Sequence, residues 1–135
     1  MIKIIIAILF NLLSSYFNIL NSSLNSENTE LIVLFISVVL VAPFFETLVS
    51  NYIFLTILSK FTKNFMFLIV ISSIFFALFH YYSIIYMIYA FFSGLILNYY
   101  FLTIKQKKSN YSAILMTTLL HSLYNLTGFI YSEIL

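Results

Sequence analysis

Long, continuous apolar runs separated by short polar breaks make up most of the chain. A membrane-spanning helix needs roughly 20 apolar residues, and continuous rather than alternating apolar runs favour helices over strands. The pattern predicts five transmembrane helices, at residues 2–20, 31–58, 65–82, 83–104 and 111–131. We therefore expect an all-α, polytopic membrane bundle that forms a single integral membrane domain over residues 1–135. No small-residue cleavage site follows the first run, so we interpret that run as a retained anchor rather than a signal peptide.

The composition agrees with this membrane class. Hydrophobic residues make up 63% of the chain and charged residues 7%, whereas a soluble domain carries about 25% charged residues. Such a chain lacks the polar surface of a soluble enzyme and the basic patch of a nucleic-acid binder, so no nucleic-acid partner is expected. The absence of cysteine excludes disulfides and thiolate metal sites. The abundance of Ile, Asn, Phe, Tyr and Lys is typical of AT-rich genomes and indicates a bacterial cell-membrane protein.

Charged residues in the polar breaks alternate in sign along the chain. In order, they are Lys3; Glu27 and Glu30; Lys60 and Lys63; Lys105, Lys107 and Lys108; and finally Glu133. The positive-inside rule then predicts a cytoplasmic N-terminus, an external C-terminus and six cytoplasmic lysines.

The remaining charged residue, Glu46, falls inside the second predicted helix. A carboxylate near the bilayer centre costs about 3 kcal/mol, and such a residue is functional by default, although a protonated Glu can also serve in packing. Pro43 lies three residues earlier and should kink the helix or end its first half, because proline has no N–H to donate. Glu46 is therefore a candidate general base for water.

Both histidines of the chain also fall in predicted membrane helices. His121 and Asn125 are four residues apart and so share a helix face. Singly, His80 could be an interfacial residue, and the His121–Asn125 pair could merely join helices. Together with Glu46 they suit peptide hydrolysis, because a His can hold the water or protonate the leaving amine, and a second His with an Asn can stabilise an oxyanion. We therefore predict Glu46, His80, His121 and Asn125 as catalytic residues.

At these residues the chain resembles the CPBP family of intramembrane proteases, which includes type II CAAX prenyl proteases and the bacterial Abi and bacteriocin-processing proteins. The family motif Phe-x-x-x-His reads Phe76 to His80, and the motif His-x-x-x-Asn reads His121 to Asn125. The family's Glu-Glu-x-x-x-Arg motif begins here at Glu46. The motif-bearing core covers residues 31–131. The resemblance implies an intramembrane protease that acts on a peptide or lipidated-peptide substrate within the membrane.

Two positions depart from the family motif. Thr47 replaces its second Glu, and Asn51 replaces its Arg. Because both charges are lost together, they leave a neutral pair, four residues apart, that is able to form a hydrogen bond. We expect the fold to be retained, whereas the loss of the charges favours a role without catalysis.

The metal content is open to two interpretations. Glu46, His80 and His121 would form a common zinc ligand set. Zinc would then occupy Glu46, and no other predicted intramembrane carboxylate remains to act as the base. The residues therefore favour a metal-free site without a cofactor, with zinc as the alternative.

Three functions compete on this evidence. The first is an intramembrane endopeptidase, a hydrolase in which Glu46 activates water. The second is a catalytically weakened family member that acts as a bacteriocin self-immunity protein or a membrane scaffold. The third is a proton or ion relay, which would need a polar row along one helix face, and the chain offers only a thin one, at Ser72, Ser73, Ser93 and Asn98.

Overall fold

Residues 27–81 and 83–133 are described by a computed structural model, and within these ranges the chain forms helices and connections without a strand. The helices are α1 (Glu27–Phe35), α2 (Ala42–Glu46), α3 (Leu55–Leu58), α4 (Phe65–Leu78), α5 (Ile84–Lys107) and α6 (Asn110–Glu133). Two π-helical segments, Ile36–Val41 and Thr47–Phe54, flank α2. The predicted all-α class is confirmed. The helix predicted at residues 2–20 lies outside the described residues.

Within the described residues, three helical stretches are long and apolar enough to cross a membrane: Leu31–Leu58, Ile84–Lys107 and Asn110–Tyr131. Helix α4 is also apolar but shorter, with 14 residues. Large apolar side chains also cover the exterior, including Phe61 and Ile85, which are each 82% exposed. Such a surface suits lipid rather than water, and the protein is a membrane protein.

The prediction that the third helix runs to residue 82 is wrong, because α4 ends at Leu78. In a continuing α-helix the His80 N–H would donate to the Phe76 carbonyl. Here the backbone N–H of His80 donates instead to Ala77 O (2.9 Å), and the Phe76 carbonyl accepts from Nδ1 of the His80 ring (3.1 Å). The imidazole thus takes the place of the backbone donor and closes the helix.

Polar side chains in the connections begin the next three helices. Asn64 accepts from the N–H of Phe67 at the start of α4, and Ser83 accepts from the N–H of Tyr86 at the start of α5. Ser109 does the same for Ser112 in the first turn of α6. These caps satisfy backbone donors that an apolar helix cannot.

The described residues belong to two compact units, one ending at Ser37 and the other starting at Val38. In the first unit, α1 is followed by Ile36 and Ser37, and Ile32 on α1 is 57% exposed. The second unit contains α2 to α6 and every predicted site residue.

The second unit is built in layers along its helices. Next to the connections that carry the lysines, a buried apolar layer is formed by Leu55, Leu68, Ile69, Phe101, Leu102 and Ala113. About one helical turn further from the lysines, Asn51 Nδ2 donates to Asn98 Oδ1 (2.9 Å) and Asn98 Nδ2 donates to Ser73 Oγ (3.1 Å). This Asn51–Asn98–Ser73 chain is the polar layer, and it joins three helical elements.

Gly94 lets α4 and α5 approach closely. A Cβ atom at this position would lie 3.1 Å from Phe76 Cδ1 and 3.3 Å from both Cα and Cβ of Ser73. Small residues allow such backbone approach between membrane helices. The contact fixes the position of Phe76, which packs in the next layer.

Candidate active site

The third layer contains a cavity lined by all four predicted catalytic residues, Glu46, His80, His121 and Asn125. They come from α2, the connection after α4, and α6. The cavity has a volume of about 30 Å³, which is room for about two water molecules. The structure thus brings together a carboxylate, two imidazoles and an amide around a space that can accommodate water, the nucleophile expected from the sequence.

Glu46 and His121 lie close together in the cavity. His121 Nε2 lies 3.5 Å from Glu46 Oε2. The His121 side chain is 4% exposed and the Glu46 side chain 30%. Among the residues that the structure describes, the buried Nδ1 of His121 has no hydrogen-bond partner. His121 Nδ1 is thus a buried polar atom, and the nitrogen that lies near the Glu46 carboxylate is Nε2.

The His80 ring has a defined orientation. Its Nδ1 lies 3.1 Å from the carbonyl oxygen of Phe76. Because a carbonyl only accepts, Nδ1 carries the hydrogen, and Nε2 is the acceptor nitrogen of the neutral ring. This tautomer suits a histidine that accepts a hydrogen bond from water.

Phe76 packs against both imidazoles. Its ring centroid lies 5.1 Å from that of His80 and 5.7 Å from that of His121, the latter edge to face. Aromatic pairs at these distances contribute about 0.5–1.5 kcal/mol beyond buried area. Gly94 in turn sets how close the Phe76 ring comes to α5. Phe76 thus links the close α4–α5 contact to the position of both rings.

Asn125 satisfies a backbone carbonyl next to the Pro43 interruption. Its Nδ2 donates to Val38 O (2.9 Å). Pro43 has no N–H, so it cannot donate to the carbonyl four residues earlier, as in an α-helix, or to that of Val38, five residues earlier, as in a π-helix. The Asn125 amide supplies a donor there and ties α6 to the segment that precedes α2. The second hydrogen on Nδ2 is not needed for this contact.

The two residues that depart from the family motif are not hydrogen-bonded to each other. Asn51 donates to Asn98 rather than to Thr47, and the buried Thr47 Oγ1 has no partner among residues 27–81 and 83–133. Both lie in the π-helical segment Thr47–Phe54. Asn51 has become part of the polar layer.

Sequence reasoning missed further residues of the cavity wall. On α5 the wall includes Tyr86, Tyr89 and Ser93, and on α6 it includes Tyr124. The Tyr89 and Tyr124 rings lie 5.7 Å apart across the two helices. Tyr86, Tyr89 and Ser93 follow one another at intervals of three and four residues, and this spacing in the sequence predicts a shared helix face.

Zinc binding by Glu46, His80 and His121 stays a prediction. Within the described part of the chain, no three His, Asp or Glu side chains are placed to share one metal ion. The steps proposed below use these side chains without a metal.

Comparison with known proteins agrees with the motifs in this cavity. A family model described as "Type II CAAX prenyl endopeptidase Rce1-like" matches residues 28–127, which include all four predicted catalytic residues and both departing positions. Comparisons with curated proteins and with solved structures give no match. The family match confirms the resemblance to the CPBP proteases that the short motifs indicated. The chain belongs to the Rce1-like family of type II CAAX prenyl endopeptidases.

Proposed function

We propose that the protein is an intramembrane endopeptidase in which Glu46 activates a water molecule. One observation carries the proposal: a Glu46–His121 pair at 3.5 Å lines a cavity with room for about two water molecules. His80 and Asn125 line the same cavity. A general base, a group to hold the water and donors for an oxyanion are the requirements for hydrolysing an amide.

In the proposed reaction, water in the cavity transfers a proton to the Glu46 carboxylate while its oxygen attacks the carbonyl carbon. The Nε2 atom of His80 accepts a hydrogen bond from the same water and so orients it. The carbonyl oxygen becomes an oxyanion, which His121 and the second hydrogen of Asn125 Nδ2 stabilise. The C–N bond then breaks, and the proton held by Glu46 passes to the leaving amine.

The substrate is a peptide or lipidated peptide embedded in the membrane, as the family implies in general terms. The cavity itself holds water rather than a peptide, because its volume is about 30 Å³. The peptide therefore has to approach along the exposed edge of the cavity. Tyr86 and Tyr89 form part of that edge and are 43% and 56% exposed.

The test uses purified protein in lipid nanodiscs and an internally quenched peptide that ends in a farnesylated CAAX sequence. Glu46→Gln keeps the size and much of the hydrogen bonding of the side chain but removes the base, so cleavage should be lost. Thr47→Val is the matched control, because it removes a neighbouring hydroxyl that has no partner within residues 27–81 and 83–133. This variant should cleave as the unchanged protein does. Equal cleavage by Glu46→Gln and the unchanged protein would contradict the mechanism.

A non-catalytic role is the second candidate, and it is favoured by the neutral residues at the two departing positions. Asn51 carries no charge and donates to Asn98 in the polar layer, and Thr47 supplies no carboxylate. In this case the protein would act by binding, as a bacteriocin self-immunity protein or a membrane scaffold. Glu46→Gln and His121→Ala would then both keep full function in cells that depend on the protein. Loss of that function in both variants would instead support hydrolysis.

A further inference from the structure

Five of the six lysines lie at one end of the second unit. They are in or beside the connections that join α3 to α4 and α5 to α6, at Lys60, Lys63, Lys105, Lys107 and Lys108. Both connections border the same buried apolar layer, to which α3, α4, α5 and α6 all contribute side chains. The five ammonium groups therefore share one surface, which we call the lysine end.

The positive charge of the lysine end is not balanced from within the second unit. Between Glu46 and Glu133 the sequence contains no Asp or Glu. Glu46 lines the cavity, and Glu133 is the last residue of α6, whose first turn lies at the lysine end. Among the residues that the structure describes, no lysine forms an ion pair with a carboxylate. The lysine end therefore calls for an anion from outside the unit.

Two of these ammonium groups are held together at the end of α3. Lys63 Nζ donates to Ser59 O (2.7 Å), and Lys105 Nζ donates to Thr56 Oγ1 (3.4 Å). Thr56 and Ser59 are three residues apart and are neighbours on one turn, where Ser59 Oγ donates to Thr56 O (2.9 Å). The two positive charges repel each other, and an anion between them would offset that repulsion. An ammonium has three N–H donors, so both groups keep donors for such an anion.

Exposed apolar side chains lie among the lysines. Phe61, between Lys60 and Lys63 in the sequence, is 82% exposed, and Met66 in the first turn of α4 is 66% exposed. Tyr111 in the first turn of α6 is 74% exposed. A soluble anion would leave these side chains in water. A phospholipid supplies both a phosphate for the ammonium groups and acyl chains for the apolar side chains.

We propose that the lysine end binds an anionic phospholipid whose phosphate is held between Lys63 and Lys105. Phe61 and Met66 contact its acyl chains. Clusters of basic residues beside membrane helices recognise anionic lipids in this way. A zwitterionic lipid carries its own ammonium next to the phosphate and cannot balance the charge of the lysine end, so the site selects lipids of net negative charge. No residue of the cavity takes part, so the proposal is independent of hydrolysis.

The test is a lipid titration of the purified protein in detergent micelles, followed by native mass spectrometry. Dioleoyl phosphatidylglycerol and dioleoyl phosphatidylcholine have the same acyl chains and differ in net charge, and we expect the first to bind more tightly. The double variant Lys63→Gln/Lys105→Gln should bind phosphatidylglycerol about 30-fold more weakly, since each lysine near an anionic lipid contributes roughly fivefold. Equal affinity of the unchanged protein for the two lipids would overturn the proposal.

Two control variants separate the site from total charge and from folding. Lys107→Gln/Lys108→Gln removes the same charge from the same end without changing the pair on α3, and it should weaken binding less. An equal fall in both Gln variants would show that only total charge matters and would overturn the site. Lys63→Arg/Lys105→Arg keeps both charges and should still bind phosphatidylglycerol. A loss as large as that of Lys63→Gln/Lys105→Gln would contradict a role for the charges.

A competition measurement distinguishes a lipid from a soluble phosphate. Glycerol 3-phosphate carries the phosphate without acyl chains, and it is added to the phosphatidylglycerol complex at the concentration of the lipid. We expect the lipid to stay bound, because the soluble compound makes no contact with Phe61 or Met66. Displacement of the lipid would assign the lysine end to a soluble phosphate compound and overturn the proposal.

Discussion

Gly94→Ala tests whether the close α4–α5 contact supports the site. The added Cβ would lie 3.1 Å from Phe76 Cδ1 and 3.3 Å from Ser73 Cα and Cβ. Ser73 Cα belongs to the helix backbone and cannot yield by a rotamer change, so the helices have to separate by a few tenths of an ångström. Overpacking of this kind costs about 1–3 kcal/mol, which corresponds to a roughly 5- to 150-fold fall in the ratio of folded to unfolded protein.

The only other glycine of the chain supplies the control. A Cβ at Gly128 meets no atom within 4 Å, so Gly128→Ala should have no packing cost. Helix propensity alone would make either change slightly stabilising, since Ala is favoured over Gly by about 1 kcal/mol in a helix. Both variants are compared with the unchanged protein by SDS titration in detergent micelles, followed by circular dichroism. If Gly94→Ala is as stable as Gly128→Ala, the contact is looser than described and the reasoning is refuted.

Gly94→Ala also has a consequence for catalysis. Phe76 moves if the helices separate, and its ring packs against both His80 and His121. We therefore expect a lower cleavage rate even where the variant remains folded. Full activity in the folded fraction would show that the imidazoles do not depend on Phe76.

Three further predictions concern single groups. Asn98→Leu removes both hydrogen bonds of the polar layer, each worth about 0.6 kcal/mol and at most about 1.7 kcal/mol. SDS titration should therefore show a fall of about 1–3 kcal/mol in the free energy of unfolding. An unchanged unfolding midpoint would contradict the network. Asn125→Ala should lower kcat roughly 100-fold or more, the usual effect of losing one oxyanion donor. The variant should also be less stable, because Val38 O loses the hydrogen bond from Asn125. A fall in kcat of less than about tenfold would exclude the oxyanion role. Cleavage should be insensitive to 1,10-phenanthroline, and inhibition that added zinc reverses would overturn the assignment of Glu46 as a free base.

The sequence was sufficient to predict the helices and the group of site residues. Continuous apolar runs placed four of the predicted helices close to their observed bounds, with the end of α4 as the main error. Glu46, His80, His121 and Asn125 were singled out because an apolar chain has few polar groups in its membrane segments. The structure places all four around one cavity, while their catalytic roles remain predictions.

The hydrogen-bond partners were beyond prediction from the sequence. The partner of Asn125 is the Val38 carbonyl, 87 residues away, and that acceptor is a backbone group in a π-helical segment rather than a side chain. The Asn51–Asn98 bond likewise depends on how two helices are aligned along their length. Nor does the pattern of apolar residues distinguish a π-helical from an α-helical turn.

Because α6 is the last of these helices to be synthesised, its position in the chain determines when the cavity is completed during biogenesis. This helix follows α2, α4 and α5 along the chain, yet it supplies both His121 and Asn125. A nascent chain that has inserted only the earlier helices holds the Glu46 carboxylate without its imidazole neighbour and Val38 O without its amide donor. Under the proposed mechanism, hydrolytic capacity arises only after α6 enters the bilayer. Products of premature termination before residue 121 would remain inert toward neighbouring membrane proteins.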